Sequence, residues 1–258
     1  MATISSVSQI SIRLRGKAIP GAEDRQKKIP GFNQTIFSGS RVVCIGAGGL
    51  ISYVAPTLVW KGIGALVLLD DDVVEVSNLN RQRFYSKDLG RNKALALAEN
   101  LQTECIVATE ISGHALRLED AIERGIDLSC NVAVCGVDNN PARIAASRHF
   151  RTKGIPVIFT AVSADGDCGY VFVQEKTGPC IGCLFPDAVN DDRHPCPGTP
   201  AIADILQAIG GMAVYAVDSC LMARVRAWNY RRISLSRGTD DSAQQLETRN
   251  GCKLGVEH

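Results

Sequence analysis

Neither basic nor acidic residues dominate this sequence, and it contains no long block of lysine and arginine. The 258 residues include 28 lysines and arginines against 27 aspartates and glutamates, which gives a formal net charge of +1 at pH 7. Proteins whose main ligand is nucleic acid usually carry a concentrated basic patch or stripe. The charge balance therefore argues against nucleic acid as the main ligand.

Long apolar runs are also missing, although 45% of the residues are hydrophobic. A helix that crosses a membrane needs roughly 18 to 20 consecutive, mainly apolar residues, and no stretch of the chain approaches that length. We therefore expect no membrane-spanning segment. The apolar content is sufficient for the core of one large domain.

We expect no secretory signal sequence, and the ten cysteines are scattered. Secreted disulfide scaffolds are short, and here Cys44 and Cys135 lie inside apolar, strand-like runs. These features predict a reducing, cytoplasmic location. The amino-terminal residues weakly resemble a transit peptide, because they contain serine and arginine but no acid. Alternation around residues 11–15 instead favours an ordered strand or a flexible arm.

Apolar runs alternate with helical patterns along residues 41–175. Strands are predicted at 41–45, 65–70, 106–112, 131–136, 156–162 and 169–175, with helices between several of them. This alternation is typical of βαβ units. We predict an α/β fold with a Rossmann-like doubly wound sheet, parallel in its first half, and with antiparallel strands added after about residue 155. A loop rich in Pro, Asp and Cys at 179–200 precedes a helix predicted over 203–229.

A glycine-rich turn, Gly46-Ala47-Gly48-Gly49, follows the first of these strands and precedes a helix. Glycines there let the backbone approach a phosphate, and the helix N-terminus supplies N–H groups and positive potential. A tight structural turn would need the same glycines. A dinucleotide fingerprint also requires a third glycine at position 51, where this chain has isoleucine. Pro56 is expected to kink or shorten the helix that follows.

Charged and amide side chains gather at the predicted carboxyl ends of the strands, where open parallel sheets bind ligands. A dehydrogenase does not need the additional arginine, lysine and carboxylates, whereas a triphosphate with Mg²⁺ does. We expect ATP as the ligand. The candidate nucleotide-binding residues are Gly46, Gly48, Gly49, Asp70, Asp72, Ser77, Asn78, Arg81, Gln82, Lys93, Asp138 and Asn139.

The segments GAGGL, LLDDDVVEVSNLNRQ, GRNKA and VDNNPAR resemble motifs of the ThiF/MoeB/HesA family, bacterial relatives of the ubiquitin-activating enzymes. The resemblance runs from about Arg25 to about Arg224, and its SNLxRQ segment is specific. It implies ATP-dependent adenylation of the C-terminal carboxylate of a small ubiquitin-like or sulfur-carrier protein, or of a peptide. In this chemistry the carboxylate attacks the α-phosphate and pyrophosphate leaves, which requires alignment and charge neutralisation.

The resemblance also implies individual roles. Asp70 would bind the ribose hydroxyls, and Asp138 with Asp72 would hold Mg²⁺. The catalytic set implied in this way is Arg25, Arg81, Lys93, Asp138 and Cys196. Arg25 resembles an arginine that family members insert into the partner subunit's site, which implies a homodimer.

Many family members bind a structural zinc ion through two CxxC pairs. Cys180 and Cys183 match the first pair, whereas only Cys252 stands where the second is expected. The fourth ligand of such a zinc site would be His194, His258 or water. Otherwise the thiols are free.

Cys196 lies where relatives often carry a cysteine that forms a thioester or persulfide. Arg193 and His194 beside it would favour a thiolate. An incidental loop cysteine or a zinc ligand are the other interpretations of Cys196.

We predict an N-terminal arm at 1–40, an ATP-binding adenylation domain at 41–235 and a polar, loosely held tail at 236–258. Two alternatives to an activating enzyme stay open. One is an NAD-dependent oxidoreductase; the isoleucine at position 51 and the charged residues at the strand ends argue against it. The other is a non-catalytic dimeric scaffold that retains the fold.

Overall fold

The computed structural model describes residues 10–186, 200–252 and 254, and these form one mixed nine-stranded sheet covered by helices. The strands are β1 (Ser11–Arg15), β2 (Arg41–Ile45), β3 (Ala65–Leu69), β4 (Glu110–His114), β5 (Val132–Cys135), β6 (Val157–Val162), β7 (Cys168–Gln174), β8 (Tyr230–Ser234) and β9 (Ser242–Gln244). The helices are α1 (Gln34–Ser38), α2 (Ile51–Trp60), α3 (Lys93–Gln102), α4 (Leu118–Glu123), α5 (Asn140–Arg151), α6 (Ile181–Leu184) and α7 (Ala203–Leu221).

The strand order is β1-β4-β3-β2-β5-β6-β7-β8-β9. Strands β4, β3, β2, β5 and β6 are mutually parallel, and β7, β8 and β9 continue the sheet in antiparallel pairs. Strand β1 adds an antiparallel edge against β4, so the segment 11–15 is a strand. The predicted fold class is confirmed, with the antiparallel additions beginning at β7.

Two apolar clusters bury the two faces of the sheet, as a doubly wound fold requires. Helices α2, α3 and α7 cover one face, and α4, α5 and α6 cover the other. Helices α2 and α7 pack closely, because a Cβ atom on Gly210 would lie 2.8 Å from Cβ of Tyr53. Strands β2, β3 and β5 are buried on both faces except at the first residues of β2 and β3, and their sequences are therefore almost continuously apolar.

Three elements differ from the prediction. Strand β4 starts at Glu110 rather than residue 106, because residues 106–109 turn, with Thr109 N–H bonded to the Val107 carbonyl and its hydroxyl to the Ile63 carbonyl. Helix α7 ends at Leu221, just before Ala223 takes a left-handed φ of 49°. Helix α2 continues through Pro56 without interruption.

The polar tail is held more firmly than expected. Residues 242–244 form β9, and Asn229 exchanges two hydrogen bonds with the backbone of Leu246, at 2.7 and 2.9 Å. Leu254 is 2% exposed. The proposed division of the chain at residues 40 and 235 stays a prediction.

None of the helices in the described ranges is both long and apolar enough to span a membrane.

Candidate nucleotide-binding site

The glycine-rich turn lies at the carboxyl end of β2, next to the ends of β3 and β5. Gly46 has a φ of +90°, which an L side chain rarely adopts, and its N–H bonds the Leu69 carbonyl at 2.8 Å. A Cβ atom on Gly49 would lie 3.0 Å from the Leu206 side chain, so α7 supports the turn from below. In the described part of the chain the N–H groups of Gly48 and Gly49 have no acceptor. They precede the first turn of α2 and are placed to bind an anion.

Ile51 lies in the apolar core and not at the surface of the turn. It is 0% exposed, and a Cβ atom on Gly136 would lie 2.7 Å from Ile51 Cγ1. The third glycine of a dinucleotide fingerprint lets helix and strand pack closely. Here the larger residue is on the helix and the glycine on the neighbouring strand end, which restores the same close packing.

Asp70 follows β3 and is joined to the glycine turn. Its Oδ2 accepts the Ala47 N–H at 2.6 Å, and its Oδ1 accepts the Asp72 N–H at 2.8 Å. Burial raises the pKa of Asp70 to about 6, against the opposing effects of Lys93 and of these two N–H groups. A carboxylate held at this point can accept hydrogen bonds from a ribose.

Lys93 is the first residue of α3 and is 9% exposed. Its Nζ lies 2.9 Å from Asp72 Oδ2. Asn92 orients the segment, because its Oδ1 caps α3 through the Leu95 N–H and its Nδ2 donates to the carbonyls of Asp70 and Asp72 at 2.8 and 3.0 Å. The charged Lys93 side chain is thus fixed beside the Asp70 carboxylate.

The SNLNRQ segment follows β3 and begins in a short turn at Val76–Asn78. Asn78 is 7% exposed and accepts the Glu75 N–H at 3.0 Å, and Ser77 donates to Glu75 Oε2 at 3.3 Å. Arg81 Nη1 donates to the Ser77 carbonyl at 2.6 Å. Gln82 Oε1 is buried and has no hydrogen-bond partner among the described residues.

Asp138 and Asn139 lie just beyond β5, on the other side of the glycine turn. Asp138 is exposed, and Asn139 caps α5 by accepting the Ala142 N–H at 2.9 Å. The described carboxylates gathered within 4.8 Å of one another here are those of Asp70, Asp71 and Asp72. Asp72 pairs with Lys93, and the pairing of Asp72 with Asp138 around Mg²⁺ stays a prediction.

Sequence reasoning missed two contributors to this edge. Asn92 could have been found, because an asparagine directly before a helical run is a frequent N-cap. Arg117, whose Nε lies 2.7 Å from Asp71 Oδ2, could not, because the two residues come from different strand ends.

The comparison with known families agrees with this geometry, since the ThiF family model matches residues 24–251. The chain belongs to the ThiF family.

Curated relatives of this ThiF-family chain include the SAMP-activating enzyme E1 of Haloferax volcanii, 32% identical over 181 residues, which are 67% of this chain and 63% of that protein. The sulfur carrier protein adenylyltransferase of Thermus thermophilus is 33% identical over 183 residues, 68% of this chain and 66% of that protein. The chain thus spans just under two thirds of the length of these relatives.

Solved structures support the fold. E. coli MccB with succinimide superimposes with a TM-score of 0.74 at 18% identity, over 93% of this chain and 76% of that one. E. coli MccB with ATP gives a TM-score of 0.69 at 20% identity, over 86% and 67%.

A second cluster in this ThiF-family chain consists of thiols. Cys180 Sγ lies 3.8 Å from Cys183 Sγ and 3.5 Å from Cys252 Sγ, and the three sulfur atoms lie within 4.8 Å of one another. Burial raises the pKa of Cys180 to about 12. Burial also opposes ionisation of Cys183, but the Arg249 N–H, 3.5 Å from its Sγ, and the backbone at Cys180 outweigh it and lower its pKa. Three sulfur donors from two segments fit a zinc site.

The remaining predicted residues are placed only in part. Arg25 is exposed and directly precedes the short turn Gln26–Lys28. Gln26 Nε2 donates to the Lys61 carbonyl at 2.9 Å and so anchors this arm to the end of α2. Cys196, His194 and His258 lie outside the described residues.

Proposed function

We propose that this chain binds ATP with Mg²⁺ at the carboxyl edge of β2, β3 and β5. There it adenylates the C-terminal carboxylate of a small ubiquitin-like or sulfur-carrier protein, or of a peptide. The observation that carries the proposal is the placement of Asp70 and Lys93 beside one glycine turn, with the SNLNRQ segment following the same strand β3. These residues are distant from that turn in sequence, and a simple turn would not require them.

The geometry supports a division of roles. The free N–H groups of Gly48 and Gly49 and the start of α2 would bind phosphate oxygens. Asp70 would accept the ribose hydroxyls. Lys93 and Arg81 would offset the charge that develops as the bond between the α- and β-phosphates breaks.

The reaction needs no protein nucleophile. A carboxylate oxygen of the substrate forms a bond to the α-phosphorus, the bond to the bridging oxygen breaks, and pyrophosphate carries away the electron pair. The residues named above hold the two reactants in line, which supplies most of what such a step requires. Only after this step would the Cys196 thiol displace AMP from the acyl adenylate to form a thioester, or accept a sulfane sulfur from a separate persulfide donor that leaves as a thiol.

The carboxylate oxygens of Asp70, Asp71 and Asp72 within 4.8 Å, with Asp138 across the turn, are donors that suit Mg²⁺. Mg²⁺ bound with the triphosphate would neutralise charge on its oxygens. Zinc held by Cys180, Cys183 and Cys252 would be structural, because it would join α6 to the C-terminal segment.

Three further properties complete the proposal. A homodimer would let the exposed Arg25 reach the partner subunit's site. A cytoplasmic location fits described cysteines such as Cys44, Cys105 and Cys135, which are buried thiols outside any disulfide. The names of the relatives, an activating enzyme and a sulfur carrier protein adenylyltransferase, support a protein substrate, and the fold shared with MccB, solved with ATP and with MccA, keeps a peptide open.

The test is exchange of labelled pyrophosphate into ATP in the presence of a candidate carrier protein. We expect exchange that depends on the carrier and that Asp138→Ala abolishes, while Asp240→Ala, in a surface turn remote from the sheet edge, leaves it unchanged. ATP binding without exchange for any carrier would favour a scaffold. Binding of NAD in preference to ATP would favour an oxidoreductase and contradict the proposal.

A further inference from the structure

Three side chains outside the nucleotide site form a closed cluster. Arg83 Nη2 donates to Glu104 Oε1 at 3.0 Å, and Trp60 Nε1 donates to Glu104 Oε2 at 2.8 Å. The guanidinium carbon of Arg83 lies 5.0 Å from the centroid of the Trp60 ring. Both carboxylate oxygens of Glu104 are therefore used, and the arginine is held by an ion pair and an aromatic face together.

The cluster joins three parts of the chain that the proposed function depends on. Trp60 is the last residue of α2, the helix that begins at the glycine turn. Glu104 follows the end of α3, the helix that begins at Lys93. Arg83 lies two residues after Arg81. The ends of α2 and α3 remote from the site thus hold Arg83, the residue that directly follows the SNLNRQ segment.

Buried side chains fix how deeply that segment lies. Phe84, 5% exposed, and Asn78, 7% exposed, are buried, and Leu79 packs against the core. Ser77 and Asn80 are exposed, and Arg81 bonds within the segment, to the Ser77 carbonyl. The Arg83 side chain, 31% exposed, is tied sideways to two helices. Trp60 is 45% exposed at the end of α2, and its described side-chain contacts are those it makes in this cluster.

We propose that Trp60, Arg83 and Glu104 are positioning residues that hold the segment 77–82 against the ends of α2 and α3, and so keep in place Arg81, to which the proposed function gives the phosphates. This inference rests on the proposed function, because it assigns a role in binding the triphosphate. The three residues do not themselves contact the nucleotide. They act by positioning Arg81.

The test measures Mg-ATP binding by titration calorimetry on the full chain for the wild type, Arg83→Ala, Arg83→Lys and Lys87→Ala. Lys87 is the matched control, because it is another cation over a ring a few residues further along the chain, 5.8 Å from the centroid of Tyr85, and no described contact joins it to either helix end. We expect Arg83→Ala to weaken ATP binding about 3- to 10-fold. The ATP affinity of Arg83→Lys should lie between those of the wild type and Arg83→Ala, since lysine keeps the charge but loses the planar stack on the ring. Lys87→Ala should bind as the wild type does.

A second readout separates positioning from general destabilisation. Hydrogen exchange of the Gln82 amide, which bonds the Asn78 carbonyl at 2.9 Å, should speed up in Arg83→Ala while the melting temperature stays close to that of the wild type. If the wild type binds ATP and Arg83→Ala binds it equally tightly, the positioning role is overturned and the proposed function stays intact. Equal losses in Lys87→Ala would overturn it too. A wild type that binds no ATP would overturn the proposed function and this inference with it.

Discussion

Replacing Gly136 by alanine tests how the chain packs the helix after the glycine turn. The new Cβ atom would lie 2.7 Å from Ile51 Cγ1 and 3.0 Å from Cδ1, closer than carbon atoms approach, at a site where Ile51 is 0% exposed. Overpacking of this kind costs about 1 to 3 kcal/mol, offset by about 0.4 to 1 kcal/mol for the lost freedom of the unfolded glycine. We expect the free energy of unfolding to fall by about 1 to 2 kcal/mol, which lowers the melting temperature by about 2 to 8 °C.

A double-mutant cycle shows whether Ile51 is the cause. Ile51→Ala alone should cost about 2 to 5 kcal/mol through the cavity it leaves. In the double variant the methyl group added at position 136 has room, so we expect a total about 1 kcal/mol smaller than the sum of the single effects. Urea unfolding measures all four proteins. Gly211→Ala is the control, because a Cβ atom there meets nothing within 4 Å on the exposed side of α7, and it should be neutral or stabilising by up to about 1 kcal/mol. Full additivity of the two changes, or a Gly136→Ala variant as stable as the control, would refute the packing argument.

Three other outcomes follow from the site. Because burial raises the pKa of Asp70 to about 6, ATP affinity measured by calorimetry should fall as pH is lowered from 7 to 5, and Asp70→Asn should lose both affinity and this pH dependence. The same raised pKa means that the free energy of unfolding of the ATP-free protein falls, by at most about 3 kcal/mol, as pH rises from 4 through 6. An unfolding free energy that instead rises over this range would contradict the assignment. Lys93→Ala should lower the pyrophosphate-exchange rate about 100- to 1000-fold, and near-normal exchange would exclude a role at the phosphates. Cys252→Ser should lower the zinc content of the purified protein, measured by mass spectrometry of the metal, whereas Cys220→Ser, remote from the thiol cluster, should not. Equal zinc in the wild type and both variants would contradict a zinc site at this cluster.

Local patterns were sufficient for the alternating strands and helices and for the family. Continuous apolar runs such as those of β2, β3 and β5 indicate strands buried on both faces, and their order with intervening helices favours a parallel sheet. The glycine turn and the SNLNRQ segment are contiguous in sequence, and the family resemblance that they carry agrees with the match over residues 24–251. Element ends were less well predicted, because α7 stops where Ala223 turns, a change that its apolar spacing does not signal.

The sequence by itself thus determined the fold class, the family and the edge of the sheet at which charged residues gather. Only the tertiary structure decided how these residues pair. It placed Ile51 against Gly136, paired Asp72 with Lys93, and brought Cys252 to within 3.5 Å of Cys180. It also joined Trp60, Arg83 and Glu104. Each of these contacts links residues far apart in the chain, and which distant side chains meet depends on strand order and helix packing. No local periodicity encodes that information.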